Sequence, residues 1–188
     1  MMIEEINQVL FTFINQYTGL SPFIDSIAVV AAQYMPIIFA LWLIYLWIKK
    51  GNKHKNIVLY SLYAAILGLI LNFVIKIFYF HPKPFMVPVW IPLFSVSAGT
   101  SFPSDQVTFM LSVALMMIYF KETRKSGIVL FILGITGGFV NIFSDVNFPL
   151  DIFGSVGIAI VSTVIIYLFK EKLAPLNQIF RLIYQILK

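Results

Sequence analysis

The chain has 188 residues, of which 60% are hydrophobic and 11% charged, with a formal net charge of +5 and a mean hydropathy of +0.93. A soluble domain of this size does not tolerate such a composition, so the chain is read as an integral membrane protein, with no nucleic-acid partner expected. Without cysteine, it carries no information on redox compartment.

In chain order, Ile3, Ile6, Leu10, Phe13, Ile14 and Tyr17 recur at helical spacing opposite Glu4, Gln8 and Asn15. That pattern predicts an amphipathic helix lying on the bilayer or capping a bundle, ended near Gly19. Glu4 and Glu5 stand where a cleaved leader would carry positive charge, so none is expected. Five apolar stretches follow: 26–48, 56–80, 104–120, 126–143 and 152–169. About 20 residues are needed to cross a hydrocarbon core of about 30 Å, so the third and fifth are short at the margin. After Pro175 a second amphipathic pattern sets Ile179, Leu182, Ile183 and Ile186 against Asn177, Gln178, Arg181 and Lys188. The expected architecture is all-α, about five transmembrane helices plus the N-terminal amphipathic helix, in a single domain over 1–188.

Charge orients these spans. Lys49, Lys50, Lys53 and Lys55 fill the first loop between spans, Lys121, Arg124 and Lys125 the third, and Lys170, Lys172, Arg181 and Lys188 follow the last. Eleven of the thirteen basic residues thus lie on one side, which becomes the cytoplasmic side. The other two, Lys76 and Lys83, fall on the opposite side with Glu4, Glu5, Asp25, Asp105, Asp145 and Asp151. The N-terminus is then outside and the C-terminus inside.

Three polar stretches meet at that outer face. Lys76 ends the second span and is followed by Pro82, Lys83 and Pro84, which must stop the helix. Pro103-Ser104-Asp105-Gln106 opens the third span, and a helix start there presents free N–H groups and a positive dipole end to an anion. Asn141, Asp145, Asn147, Pro149 and Asp151 surround the entry to the fifth span, where Asp151 also suits an N-cap role.

Order and spacing together resemble the type 2 phosphatidic acid phosphatases, and among them the undecaprenyl-diphosphate phosphatases linked to bacitracin resistance. That family carries Lys, six residues, Arg-Pro; then Pro-Ser-Gly-His or Pro-Ser-Asp-His; then Ser-Arg, five residues, His, three residues, Asp. Here the same spacing holds Lys76 and Lys83-Pro84, Pro103-Ser104-Asp105-Gln106, and Val140-Asn141, Asn147 and Asp151, with Pro149 and Gly154 in the family's positions. The resemblance covers essentially the whole chain. It implies a lipid phosphatase fold in a bacterial-type cytoplasmic membrane and a polyprenyl phosphate or diphosphate as partner. No cofactor and no metal are called for.

The resemblance also assigns roles. Asn147 holds the nucleophile's position, Asp151 the residue that orients it, and Gln106 the general acid's; Lys76, Lys83, Ser104 and Asn141 hold the phosphate-binding positions. An amide is not nucleophilic and has no proton to give, so both reactive groups are missing. Lys83 and Asn141 also lack the forked guanidinium that grips two phosphate oxygens. Pro84, Pro103, Ser104 and Pro149 are retained, so the changes fall on chemistry and spare the scaffold. The expected role is therefore lipid-phosphate binding with impaired catalysis. The alternatives are an active phosphatase that uses a water activated by Asp151 or Asp145, and a lipid-translocating or immunity protein. Lys76 and Lys83 against Asp105, Asp145 and Asp151 predict a local charge of −1, unfavourable for a diphosphate. The three aspartates with Asn141 and Asn147 also raise a divalent cation as a bridge to phosphate.

Overall fold

The computed structural model describes residues 2–86, 92–94 and 97–186. α1 (Met2–Asn15) precedes five apolar helices, α2 (Pro22–Lys49), α3 (Asn52–Phe78), α4 (Asp105–Tyr119), α5 (Arg124–Phe143) and α6 (Pro149–Leu168), and α7 (Lys170–Ile186) follows directly. A single 3-10 turn at Pro84–Met86 lies in the long α3–α4 connection. Among the described residues the one extended pairing is a bridge between Pro82 and Thr100, which folds that connection back on itself.

The five apolar helices match the five expected spans. Four of them, α2, α3, α5 and α6, are long and apolar enough to cross a membrane. α4 has 15 residues, a rise of only about 22 Å at 1.5 Å per residue. It is the axis of the bundle, packed against α3, α5 and α6. Val107, Leu111, Val113, Ala114 and Met117 along it are fully buried. Because neighbours sheathe it, α4 meets protein along most of its length and has no need to match the hydrocarbon thickness. Close approach of α5 depends on small residues, as in many membrane bundles. A Cβ at Gly137 would fall 2.8 Å from the Met35 sulfur, and one at Gly138 2.8 Å from Ile152.

α1 is amphipathic, as its spacing predicts, but its polar edge faces the protein. Asn7, Phe11 and Asn15 are buried, while Ile3, Ile6, Leu10, Phe13 and Tyr17 are exposed. The Asn7 side-chain oxygen accepts the Leu150 N–H at 3.1 Å, and the Thr18 hydroxyl, just beyond the helix, donates to the Phe143 carbonyl at 2.7 Å. Phe11 packs on Phe148 with ring centroids 4.9 Å apart. In lipid the apolar face needs no burial and the polar groups do, which inverts the usual amphipathic rule. α7 follows the same logic: Asn177 is buried, and Ile179, Leu182, Ile183 and Ile186 face outward. This helix starts at Lys170, five residues before the expected boundary, with Pro175 inside it.

Candidate functional site

One end of the bundle gathers the C-terminal ends of α3 and α5 with the starts of α4 and α6. Lys76, Lys83, Ser104, Gln106 and Asn147 there line a single pocket of about 270 Å³, together with Asp105 and Ser97. Asn141 and Asp151 do not line it. Asn141 is buried beside it, and its amide donates to the Gln106 side-chain oxygen at 3.0 Å. Asp151 opens instead to a neighbouring cavity with Glu4, Tyr79 and His81.

Local chemistry fixes each of these side chains. Lys76 projects from the last turn of α3 and pairs with Asp105 in the first turn of α4, Nζ to Oδ2 at 2.6 Å. The other Asp105 oxygen accepts from Asn72 at 2.9 Å, and Asn72 also donates to Thr108 at 3.1 Å. Lys83 donates to the Ser97 carbonyl at 2.8 Å. Burial lowers the Lys83 pKa, and the Lys76 charge lowers it further. Ser104 is the N-cap residue of α4, and its own N–H donates to the Ser155 hydroxyl at 2.8 Å. The Asn147 amide donates to the Ser101 carbonyl at 2.8 Å.

Asp151 caps α6 from within its first turn rather than as the N-cap residue, which is Phe148: its Oδ2 accepts the Phe148 N–H at 2.7 Å. The four-residue spacing predicts contact between Asn147 and Asp151, and the structure gives both residues other partners. The Asp151 Oδ1 lies 3.3 Å from Nδ1 of His81, which also meets the Ser101 hydroxyl at 2.8 Å, while Nε2 of His81 is 3.7 Å from Glu4. The Asp151 contact raises the His81 pKa above its ordinary value, against the effect of burial.

The expected charge balance is corrected by these placements. Asp145 is buried, with its Oδ1 accepting from Asn15 at 2.6 Å, and it does not line the pocket. Two ammonium groups and one carboxylate line the pocket, a net of +1 rather than −1. The three aspartates face three different partners, Lys76, Asn15 and His81, so they do not assemble a cation site. What remains is a small polar recess with two lysines, amide side chains and the α4 N-terminus, suited to an anion.

Sequence reasoning missed Asn72, Ser155 and His81. Asn72 had a readable signal, a fully buried amide within an apolar span, four residues before Lys76. His81 had none, since its partner Asp151 is 70 positions away and only the folded α3–α4 connection joins them.

The PAP2 superfamily matches residues 57–175, which include all seven candidate positions. This chain belongs to the PAP2 superfamily. Undecaprenyl-diphosphatase BcrC of Bacillus subtilis strain 168 is 31% identical over 180 residues, 96% of this chain and 92% of that protein. Among solved structures, Aquifex aeolicus LpxE superposes with a TM-score of 0.71 at 26% identity, covering 86% of this chain and 94% of LpxE. A PAP2-type phosphatidylglycerolphosphate phosphatase from Bacillus subtilis superposes with a TM-score of 0.66 at 15% identity over 91% of this chain and 87% of its own, and shows the fold alone. The chain is therefore an all-helical, multi-pass membrane protein of the PAP2 type. In the PAP2 frame Gly154 has a local purpose: a side chain there would overlap the Phe102 ring, which leads into Pro103 and Ser104.

Proposed function

We propose that this protein binds a polyprenyl-type lipid phosphate or diphosphate in the pocket at the outer face of a cytoplasmic membrane, and that its hydrolytic chemistry is impaired. Similarity to a protein named undecaprenyl-diphosphatase supports the ligand class. The pocket's net positive charge supports retention of an anion.

One observation carries the reading of impaired catalysis. At the positions the family resemblance gives to nucleophile and acid, Asn147 and Gln106 are amides, each engaged in a hydrogen bond, to the Ser101 carbonyl and to the Asn141 amide. Neither can form a phosphoryl adduct or protonate a leaving group. Lys76, Lys83 and Ser104 still line the recess, which supports binding without hydrolysis.

The test is phosphate release from undecaprenyl diphosphate by the purified chain beside a variant carrying Asn147→His, Gln106→His, Asn141→Arg and Lys83→Arg. The repaired chain is expected to exceed the parent by at least about 10²-fold, the lower range for a general acid alone. The two histidines without the arginines should give less, because the phosphate is not held in line for attack. Equal rates in parent and repaired chains would refute the proposal, and binding of the lipid diphosphate by the parent checks the remaining half.

A further inference from the structure

At the opposite end of the bundle, α3, the α4–α5 turn and the start of α7 enclose a second cavity of about 320 Å³. Lys53, Asn56 and Tyr60 of α3 face it, with Glu122 of the turn and Lys170 and Glu171 of α7. The adjoining α3–α7 seam holds polar groups that the fold leaves unused. Asn177 is fully buried, and apart from a loose contact with the Tyr60 phenol its amide has no hydrogen-bond partner. Arg181, one turn further along the same face of α7, has a buried Nε with no acceptor, and the Asn56 side-chain oxygen is likewise unpartnered. The Tyr60 hydroxyl is committed to the Lys170 carbonyl at 3.0 Å.

Burying an amide without a partner is costly, and native structures rarely keep such a group without a use for it. The charges around it also lie outside salt bridges. Lys53, Lys170 and Arg181 take part in none of the ion pairs among the described residues, and neither do Glu122 and Glu171. Two lysines nearby also rest on rings, Lys55 on Tyr184 at 4.4 Å from its centroid and Lys170 on Tyr167 at 3.8 Å. An arginine, a lysine and a carboxamide together match the oxygens of a phosphate ester. Carboxylates on the same cavity suit a ligand that carries an ammonium beside its phosphate. The exposed Ile179, Leu182 and Ile183 run along the outside of α7, where acyl chains would lie.

We propose that this seam binds a zwitterionic phosphodiester, the headgroup of a membrane phospholipid, with Asn177 and Arg181 on the phosphate and Lys170 at the mouth. The site is separate from the PAP2 pocket and lies at the far membrane face.

The test uses the full chain in detergent with Lys76→Gln and Lys83→Gln, so that the first pocket no longer competes. Thermal unfolding is followed with short-chain phosphatidylethanolamine and, separately, with glycerophosphoethanolamine. The lipid is expected to raise Tm by a few degrees, and Asn177→Leu or Arg181→Gln to remove most of that rise. If Asn177→Leu fails to fold, substitution of the only partly buried Arg181, Arg181→Gln, decides the matter alone. An equal rise with glycerophosphoethanolamine upholds the phosphodiester site and assigns it to a free ligand. No rise with either probe, or a rise that both variants retain, overturns the proposal.

Discussion

Asp145→Asn should stabilise this protein at neutral pH and do much less in acid. Burial raises the Asp145 pKa from 3.8 to about 7, although the Asn15 hydrogen bond favours the charged form. Between those values the folded chain holds a proton that the unfolded chain releases. Stability therefore falls as pH rises from about 4 to about 7 and levels off above. One unit corresponds to about 1.4 kcal/mol, so the ceiling on the cost is about 4 kcal/mol at pH 8 and under about 2 kcal/mol at pH 5. Asparagine keeps the side-chain oxygen that accepts from Asn15 at 2.6 Å and tolerates the left-handed φ of 62°. Reversible unfolding of parent and variant in one detergent at pH 5 and pH 8 reads the effect. A gain larger at pH 8 by about 1–3 kcal/mol is expected. A loss at pH 8, or a gain independent of pH, would refute the reasoning.

Asn7→Leu removes the acceptor of the Leu150 N–H in a buried contact and should cost about 1–3 kcal/mol in the same assay, despite the more apolar side chain. In the repaired chain, the imidazole introduced by Asn147→His must share Asp151 with His81, which sits 3.3 Å from Oδ1; adding His81→Asn should raise kcat with little change in KM, and a lower kcat would show that His81 assists. Single cysteines in the loop at 51–55 and near the C-terminus should resist a membrane-impermeant thiol reagent in intact cells, as the clustering of basic residues requires; labelling of both from outside would reverse the orientation.

Most of the bundle was legible because a membrane span is written in composition. The five apolar runs became α2 to α6, with boundaries within a few residues. Pro103 and Ser104 marked the start of α4, and Asp151 read as a cap because capping is a local interaction. The faces of α1 and α7 were harder. Spacing tells which residues share a face, but in lipid it does not tell which face turns inward, and the buried members proved to be Asn7, Asn15 and Asn177. At the candidate site the same division holds. The elements carrying Lys76, Gln106 and Asn147 could be placed from sequence, whereas the partners of Asp145 and Asp151 could not. Asn15 and His81 reach them across 130 and 70 positions, and no local pattern encodes such distances.

The inverted α1 has a consequence for biosynthesis. Its polar stripe is bonded to the α5–α6 corner, through groups as far as 143 positions later in the chain. When α1 leaves the ribosome none of those partners exists, and an amphipathic helix of this kind rests at the membrane surface with its amides in water. Only after Phe143, Asp145 and Leu150 have been made can the helix turn that stripe inward, exchanging water for protein partners and leaving its apolar residues against lipid. α1 can therefore dock only after the later segments that carry its partners, and the cavity where Glu4, His81 and Asp151 meet is complete only once α6 is in place.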